Sequence, residues 1–557
     1  MKKIFLFLII IITLTLTLTL TIITFLLINF TLLAQVENVP VSNPVYNFLL
    51  RAETKGLLPH YSLSMLPWQK HTVISALKLI RENDSLLSEN EKNILNNFER
   101  EFEIVTVNRA VMFYSEMDTV QVFSKKMFSD YEKAFYHYAD SNKNVTVHPL
   151  ASLDIIDDIN SNNSLLMGTL GIRLFGTLTN NFGYYLQVTN TAMLKGDSVL
   201  ALLDNKYAHN IKFTKYNSDA DIAESHVAYQ NKWFYASLGR ETKLNGSGLL
   251  QRIYVNDLSP AFDAITVAAK FKTFEYVFSH NSLLGLPSPD HNQVGVDAVI
   301  PNKYLVMHNY IFKPKWGEIS IFESVTYSRD FEFAYIVPLS FIKSLEHARH
   351  DRDRANIGLN GTFRPINNFQ IKGTWYLDDI KFSEIGKNYW SNKTAWNIAV
   401  ITSMIKNIDL GLEYSRVEPY TFTHFNQQNA ATNDSILFSS YILPNSDRWS
   451  IFFQYWWGQR YPIKLNISYT RHGNNIYDEE GNLIFNAGGD PLQTTRWGLD
   501  SDRVDFLGGD LVKSINAEFT VGYEFIRNFS IHFSYNLKAE KDIFSNYYRL
   551  ILRFSDF

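Results

Sequence analysis

Residues 517–537 read AEFTVGYEFIRNFSIHFSYNL. Phe519, Val521, Tyr523 and Phe525 alternate with Glu518, Thr520, Gly522 and Glu524. After Arg527-Asn528 the alternation resumes, with Phe529, Ile531, Phe533, Tyr535 and Leu537 against Ser530, His532, Ser534 and Asn536. A period of two sends successive side chains to opposite faces of a strand, and a short break containing Asn reads as a tight turn. The stretch is a hairpin with one aromatic-aliphatic face and one polar face. The same pattern recurs upstream, with Ile463, Leu465, Ile467 and Tyr469, then Ile408, Leu410, Leu412 and Tyr414, then Phe369, Ile371, Trp375 and Leu377 in the apolar phase.

Such strands suit a soluble sandwich or propeller as well as a transmembrane barrel, and three features favour the barrel. The runs are about 9–11 residues long, enough to cross a bilayer when tilted. Aromatic residues recur at their ends, as interfacial girdles require. The polar phase carries Lys, Arg, Glu and His, which suits a wet lumen. Tight turns at Asn180-Asn181, Asn231-Lys232, Lys272-Thr273, 315–317, Asn367-Asn368, Lys406-Asn407, 460–462 and Arg527-Asn528 alternate with longer polar loops. Eight turns join sixteen strands, and one strand flanks the series on each side. The expected fold class is all-β: an 18-stranded antiparallel outer-membrane barrel over 145–557, short turns in the periplasm and long loops outside. Tyr548, Leu550, Leu552 and Phe554 alternate with Arg549 and Arg553 in the last strand, before the terminal Phe557. An aromatic-ended terminal strand resembles the signal read by the outer-membrane assembly machinery.

Composition agrees. Among 557 residues, Phe 41, Tyr 31 and Trp 10 make 15% of the chain, yet only 46% is hydrophobic and 19% charged. A barrel needs apolar side chains on one strand face only, and aromatics along two interfaces. The absence of Cys excludes disulfide scaffolds, thiol nucleophiles and cysteinyl metal sites. A net charge of −4 gives no indication of nucleic-acid binding.

Residues 1–35 read as an export signal, Met1-Lys2-Lys3, an apolar run, then Leu33-Ala34-Gln35, with an uncleaved anchor as the alternative because the run is long enough to span a bilayer. Residues 36–110 are expected to form a periplasmic helical region. Tyr46, Leu49 and Leu50 stop at Gly56, Val73, Ile74, Leu77 and Ile80 share a face, and Ser88 to Glu91 is a capping box before Ile94, Leu95 and Phe98. Residues 111–144 read as a linker or an extra hairpin.

The loop near 330–354 is the richest in candidates. Its aromatic part, Phe331 to Phe341, contains Pro338 and is expected to fold into the barrel and narrow it. His347-Ala348-Arg349-His350-Asp351-Arg352-Asp353-Arg354 follows. Arg forks match carboxylates; a salt-bridged plug is the plainer reading. His347, His350, Asp351 and Asp353 carry metal-ligand atoms, but exposed runs of this kind usually solvate, and no metal or cofactor is expected. Glu323 shares the apolar phase of Ile319, Ile321, Val325 and Tyr327. A carboxylate in lipid would cost a few kcal/mol, so a bulge is expected to turn it inward. Further candidates are Asp378 and Asp379, Tyr389 and Trp390, and Arg240 and Glu241. Trp456 and Trp457 read as interfacial girdle. Sugars stack their C–H faces on aromatic rings and hydrogen-bond to planar polar groups, so aromatic-plus-acid loops suit carbohydrate. Catalytic signatures such as Gly-x-Ser-x-Gly or His-Glu-x-x-His do not occur, and an enzyme is not expected.

Several stretches resemble the Wzi-type capsule assembly family: VPVSNPVYNFLLRAETKGLL (39–58), GTLGIRLFGTLTNNFGYYLQVTN (168–190), WFYASLGRE (233–241), NKYLVMHNYIF (302–312), FESVTYSRDFEFAYIVPLSF (322–341) and WYLDDIKF (375–382). Their order along the chain is the main point of likeness, and the extra 104–147 segment resembles the Bacteroidetes-type branch. The resemblance implies an 18-stranded barrel with a periplasmic helical bundle, acting as a lectin that holds capsular polysaccharide on a Gram-negative cell. Glu323, Tyr327, Tyr335 and Pro338 fall in the most recognisable stretch. With it, the candidate ligand-binding residues are Glu323, Tyr327, Tyr335, His347, Arg349, Asp351, Asp353, Arg354, Asp378, Asp379 and Trp390. The expected partners are exported polysaccharide, outer-membrane lipid and the assembly machinery, with no nucleic acid. The alternative is a porin or saccharide channel.

Overall fold

Alternation along each strand gives a wall with two unlike faces, and closure of that wall removes every edge. The computed structural model describes residues 35–557 apart from 104, 106, 114–119, 141–142, 180, 209, 211–212, 214–218, 287–299 and 542. The expected export signal, but for Gln35, lies outside the described residues, as does Asn180 of the first expected turn. Eighteen strands form the barrel. They are β1 Asn144–Asp158, β2 Ser164–Thr179, β3 Phe182–Gly196, β4 Asp219–Gln230, β5 Phe234–Glu241 and β6 Phe262–Lys270. Next come β7 Phe274–Leu284, β8 Asn302–Phe312, β9 Gly317–Tyr327, β10 Arg354–Ile366, β11 Phe369–Asp379 and β12 Lys393–Thr402. The last are β13 Ile408–Val417, β14 Ser446–Tyr455, β15 Ile463–Asn474, β16 Asp510–Ile526, β17 Phe529–Glu540 and β18 Ile543–Phe554. Each pairs antiparallel with the next, and β18 closes on β1 with Phe554 opposite Ala151 and Tyr547 opposite Asp158.

Among the described residues, the short connections fall at the expected turns. Asn368, Asn407 and Asn528 sit there at φ 66°, 61° and 68°, the left-handed region that Asn tolerates best after Gly. The outer face is apolar and open: Leu170, Val227, Leu238, Ile265, Ile319, Ile398 and Leu412 are all exposed. An apolar belt around a closed barrel is a lipid-facing surface, which places the molecule in the outer membrane, short turns toward the periplasm.

Three helices, α1 Val45–Thr54, α2 Lys70–Glu82 and α3 Glu89–Glu101, close the short-turn mouth. Their stripes form one core with Phe48, Leu49, Val73, Leu77, Ile94, Leu95 and Phe98. Ser88 caps α3 in the expected capping box. Buried polar contacts bind the bundle to the barrel floor. Glu53 meets Lys372 at 3.0 Å and Arg364 at 3.3 Å, and Arg51 bridges Glu91 and Asp409. Trp456 differs from the girdle expectation: it is fully buried in the helical core beside Phe48 and donates its indole N–H to Asp409 at 2.7 Å. Strand Glu132–Ala139 forms a hairpin with the first residues of β1 and pairs in parallel with Arg109–Phe113, extending the wall below the barrel proper.

Two long loops cover opposite sides of β9. Residues 242–261 run inside. Ser247 N–H donates to Thr374, and the N–H groups of Leu249, Leu250 and Gln251 all donate to Glu413 at 2.8–3.0 Å. Tyr254 stacks on Phe322 with ring centroids 3.9 Å apart. Residues 328–353 lie outside, which corrects the expectation that this loop enters the lumen. Tyr335 and Ile342 pack on Phe278, Val306, Val325, Tyr327 and Ala355, all outward-pointing. The expected bulge at Glu323 is likewise absent. Register runs unbroken from Ile319 to Thr326 against both neighbours. Glu323 stays on the outer face and is buried beneath the loop instead.

Candidate functional site

At the extracellular rim, the loop after β11 is tied to the long loop before β16. The Trp390 N–H donates to the Asp502 carbonyl at 3.2 Å, and the Val504 N–H to that of Asn388 at 2.9 Å. Arg503 donates to Glu384 at 2.8 Å, which holds that carboxyl below its ordinary value. This tie brings four aromatic rings together. Trp390 meets Trp497 edge-on, with centroids 5.6 Å apart and planes at 89°, and lies 6.0 Å from both Tyr389 and Tyr420. Trp497 is 76% exposed, rare for so large an apolar ring, and Trp390 is half-buried. Tyr420 is fixed from behind: its hydroxyl donates to the Asn486 carbonyl at 2.9 Å and its N–H to that of Gly488 at 2.8 Å. Gly488 has φ +68°, and a Cβ there would lie 2.7 Å from the Tyr420 ring, so the close approach requires glycine.

Polar groups edge the corner. Arg496 grips Asp500 with two N–H groups at 2.7 and 3.0 Å, and Ser391 donates to Asp379 at 2.6 Å. The Lys393 and Lys381 ammonium groups lie 5.2 Å and 4.7 Å over the Trp390 and Tyr389 rings. An L-shaped pair of indoles with planar polar groups at its margin can stack a sugar ring and hold its hydroxyls.

The other candidates divide across the barrel wall. Arg354 and Asp378 point inward and pair at 3.0 Å, buried, with Phe422 N–H donating to Asp378. Asp379 and Trp390 belong to the rim corner. The remaining seven lie with the outer loop. Glu323 accepts from the Ile342 N–H at 3.1 Å and faces His308 at 3.3 Å. Tyr335 donates to Asp353 at 2.8 Å, and Arg329 also pairs with Asp353. Tyr327 is buried between Tyr304 and Tyr335. Arg349 reaches Glu332 at 3.2 Å. His347 and Asp351 gather with Glu346, but the Lys343 ammonium lies 3.3 Å from Glu346 and 4.0 Å from Asp351 and so ion-pairs the group. Burial lifts the Glu346 carboxyl to about 7 against the pull of Lys343. Arg240 pairs with Asp263 on the outside. Sequence reasoning missed Trp497, Arg496 and Asp500, because a lone Trp in an irregular polar loop has no periodic signal.

No family model matches the chain, and no curated protein sequence is similar to it. Solved structures are. The Escherichia coli outer membrane protein Wzi, described as involved in group 1 capsule assembly and as a carbohydrate-binding β-barrel, is 10% identical with a TM-score of 0.56, covering 93% of this chain and all of that one. The outer membrane protein OprD of Pseudomonas aeruginosa is 11% identical with a TM-score of 0.42, over 77% of this chain and 96% of its own. Acinetobacter baumannii OccAB2 is 10% identical with a TM-score of 0.43, over 74% and 97%. Across nearly its whole length, the chain is similar in fold to the Wzi-type outer-membrane barrel.

Proposed function

We propose that this protein is a non-enzymatic lectin of the outer membrane that holds exported, capsular polysaccharide at the cell surface and assists its assembly there. The carrying observation is the Trp390–Trp497 corner on the extracellular rim, above a lumen packed by residues 242–261 and floored by the helices. Such a barrel has its recognition groups outside and a lumen narrowed beneath them. The fold shared with a carbohydrate-binding barrel supports the reading. In the same proposal, the aromatic-ended strand β18 engages the assembly machinery. Purified barrel is expected to bind polysaccharide from its own cell surface, with Trp497→Ala weakening binding about tenfold, in line with the loss of an aromatic anchor. Deletion of the gene is expected to release polysaccharide into the medium. Unchanged binding by Trp497→Ala together with unchanged cell-associated capsule would overturn the proposal.

A saccharide channel is the second reading, favoured by one sector of the lumen. Along β15 to β17, Asn466, Ser468, Asn516, Ser534 and Asn536 are only half-buried, and Glu518 is exposed. Planar-bilayer conductance of the unmodified protein distinguishes the two: a steady open channel favours transport, a closed barrel favours the lectin.

A further inference from the structure

The outer loop is unusual for what it shows to its surroundings. It descends along the lipid-facing wall until the Pro338 carbonyl accepts from the Tyr276 hydroxyl. Tyr276 pairs with Tyr310, and Tyr310 with Ile321, six residues below Tyr327. At the rise of a tilted strand, that is roughly 10–15 Å below the level of Tyr327. There the loop exposes Phe333 (77%), Leu339 (84%), Val337 and Phe341. These side chains continue the apolar belt of the barrel wall. Part of its backbone is internally bonded: a 3-10 turn Phe333–Ile336, a turn in which the Ser340 N–H donates to the Val337 carbonyl at 3.1 Å, then helix α4 Ile342–Ala348, whose first N–H is taken by Glu323.

The upper end of the same loop is cationic. Arg349, Arg329 and Arg352 converge on Glu332 at 3.2, 3.5 and 3.7 Å, and Arg329 also binds Asp353. Three guanidinium groups thus share two carboxylates, Glu332 and Asp353. Asp351 is drawn toward Lys343 and His347 on the helix side. Each guanidinium has five N–H donors in a fixed fork, so Arg349 and Arg352, both nearly half exposed, retain donors toward solvent. Planar forks of this kind match phosphate oxygens, and cations beside a membrane attract anionic headgroups.

We propose that residues 331–352 seat a phosphorylated lipid of the outer leaflet, its acyl chains against Phe333, Leu339 and Phe341 and its phosphate against Arg349 and Arg352. The seat is separate from the saccharide corner and stands or falls without it. The test uses full-length protein in vesicles of phosphatidylcholine alone or doped with phosphatidic acid, with retained lipid counted by native mass spectrometry after mild extraction. Phosphatidic acid is expected to be enriched over phosphatidylcholine, and the enrichment to fall about tenfold or more in the Arg349→Gln/Arg352→Gln variant. Leu339→Ser/Phe333→Ser is expected to lower retention while leaving the Arg rim intact. Both variants change exposed side chains, and heat-modifiable gel migration verifies the closed barrel. Equal retention by the Arg variant overturns the proposal. So does displacement of the lipid by inorganic phosphate or by a uronic-acid oligosaccharide at equal concentration, which would make the rim a site for free anions.

Discussion

The loops 242–261 and 328–353 lie back to back on one strand. Phe322 turns inward to stack on Tyr254, while the next residue, Glu323, turns outward to cap α4. The inner loop opens on polar and small residues, Asn245, Gly246, Ser247 and Gly248, and buries Ile253, Tyr254 and Val255 in the lumen; the outer loop exposes its aromatic and aliphatic side chains. Each has gone where its unpaired groups can be satisfied. Inside, backbone N–H groups meet Thr374 and Glu413 on the polar face of the wall. Outside, apolar side chains continue the apolar belt of the wall, and the few polar groups that must be covered are turned against the barrel. A long loop on a barrel is therefore sorted by where its backbone N–H groups find acceptors, and a charge in the apolar phase of a strand signals a cover over it.

The largest expected effect is on the inner side. Glu413→Ala leaves the N–H groups of Leu249, Leu250 and Gln251 without their acceptor, and each orphaned group costs about 1–3 kcal/mol. The inner loop should leave its place, read as a conductance increase in planar bilayers and a lower temperature for the heat-modifiable shift. Retained closure at unchanged temperature would show that the loop is held elsewhere. Next is Tyr254→Ala, which removes a buried ring stacked on Phe322 and should cost about 3 kcal/mol. It should loosen 242–261 in hydrogen exchange and spare 331–349. Coupled loosening of both loops would break the contrast between them.

On the outer side, Glu323→Ala removes the acceptor for the Ile342 N–H and the partner of His308. A loss of about 1–2 kcal/mol is expected, confined to the outer loop. Because Glu323 and Glu413 lie on opposite faces with no shared partner, their double variant should be additive within about 0.5 kcal/mol. A larger interaction energy would mean that the wall transmits strain between the loops.

The barrel was legible because two signals repeat along it: alternation, and Asn at turns such as Asn368, Asn407 and Asn528 that take up left-handed φ. Helix α3 was legible from its capping box. The phase of Glu323 was read correctly, but strand pattern carries no information on whether a buried charge is relieved by a bulge or by a cover, because the cover comes from residues 333–348. Glu413 posed the same problem inside, where a lumen-facing carboxylate reads as wet whether or not a loop docks on it. Trp456 looked like girdle since it ends a strand, yet its ring packs on Phe48 of α1, about 400 residues earlier in the chain. At the rim, Trp390 was visible beside Asp378 and Asp379, whereas Trp497 depends on a tie between two loops that no local pattern encodes.

The smallest expected effect is one of pH, and it separates the loops most cleanly. Glu346 is buried on the inner side of α4, with Lys343, His347 and Asp351 around it and the Tyr335 hydroxyl near enough to feel its charge. Burial raises its carboxyl from 4.5 to about 7. A folded-state value above the unfolded one means that the neutral form favours the packed loop. That contribution is complete below the unfolded value and fades as pH rises through about 7. After correction for intrinsic exchange, protection of 342–348 should fall between mildly acidic and mildly basic solution, while 242–261 holds steady. Glu346→Gln keeps the neutral shape and should abolish the dependence. If the Gln variant loses protection with pH as the parent does, the titrating group is another of those facing it, and Glu346 is not what couples the outer loop to pH.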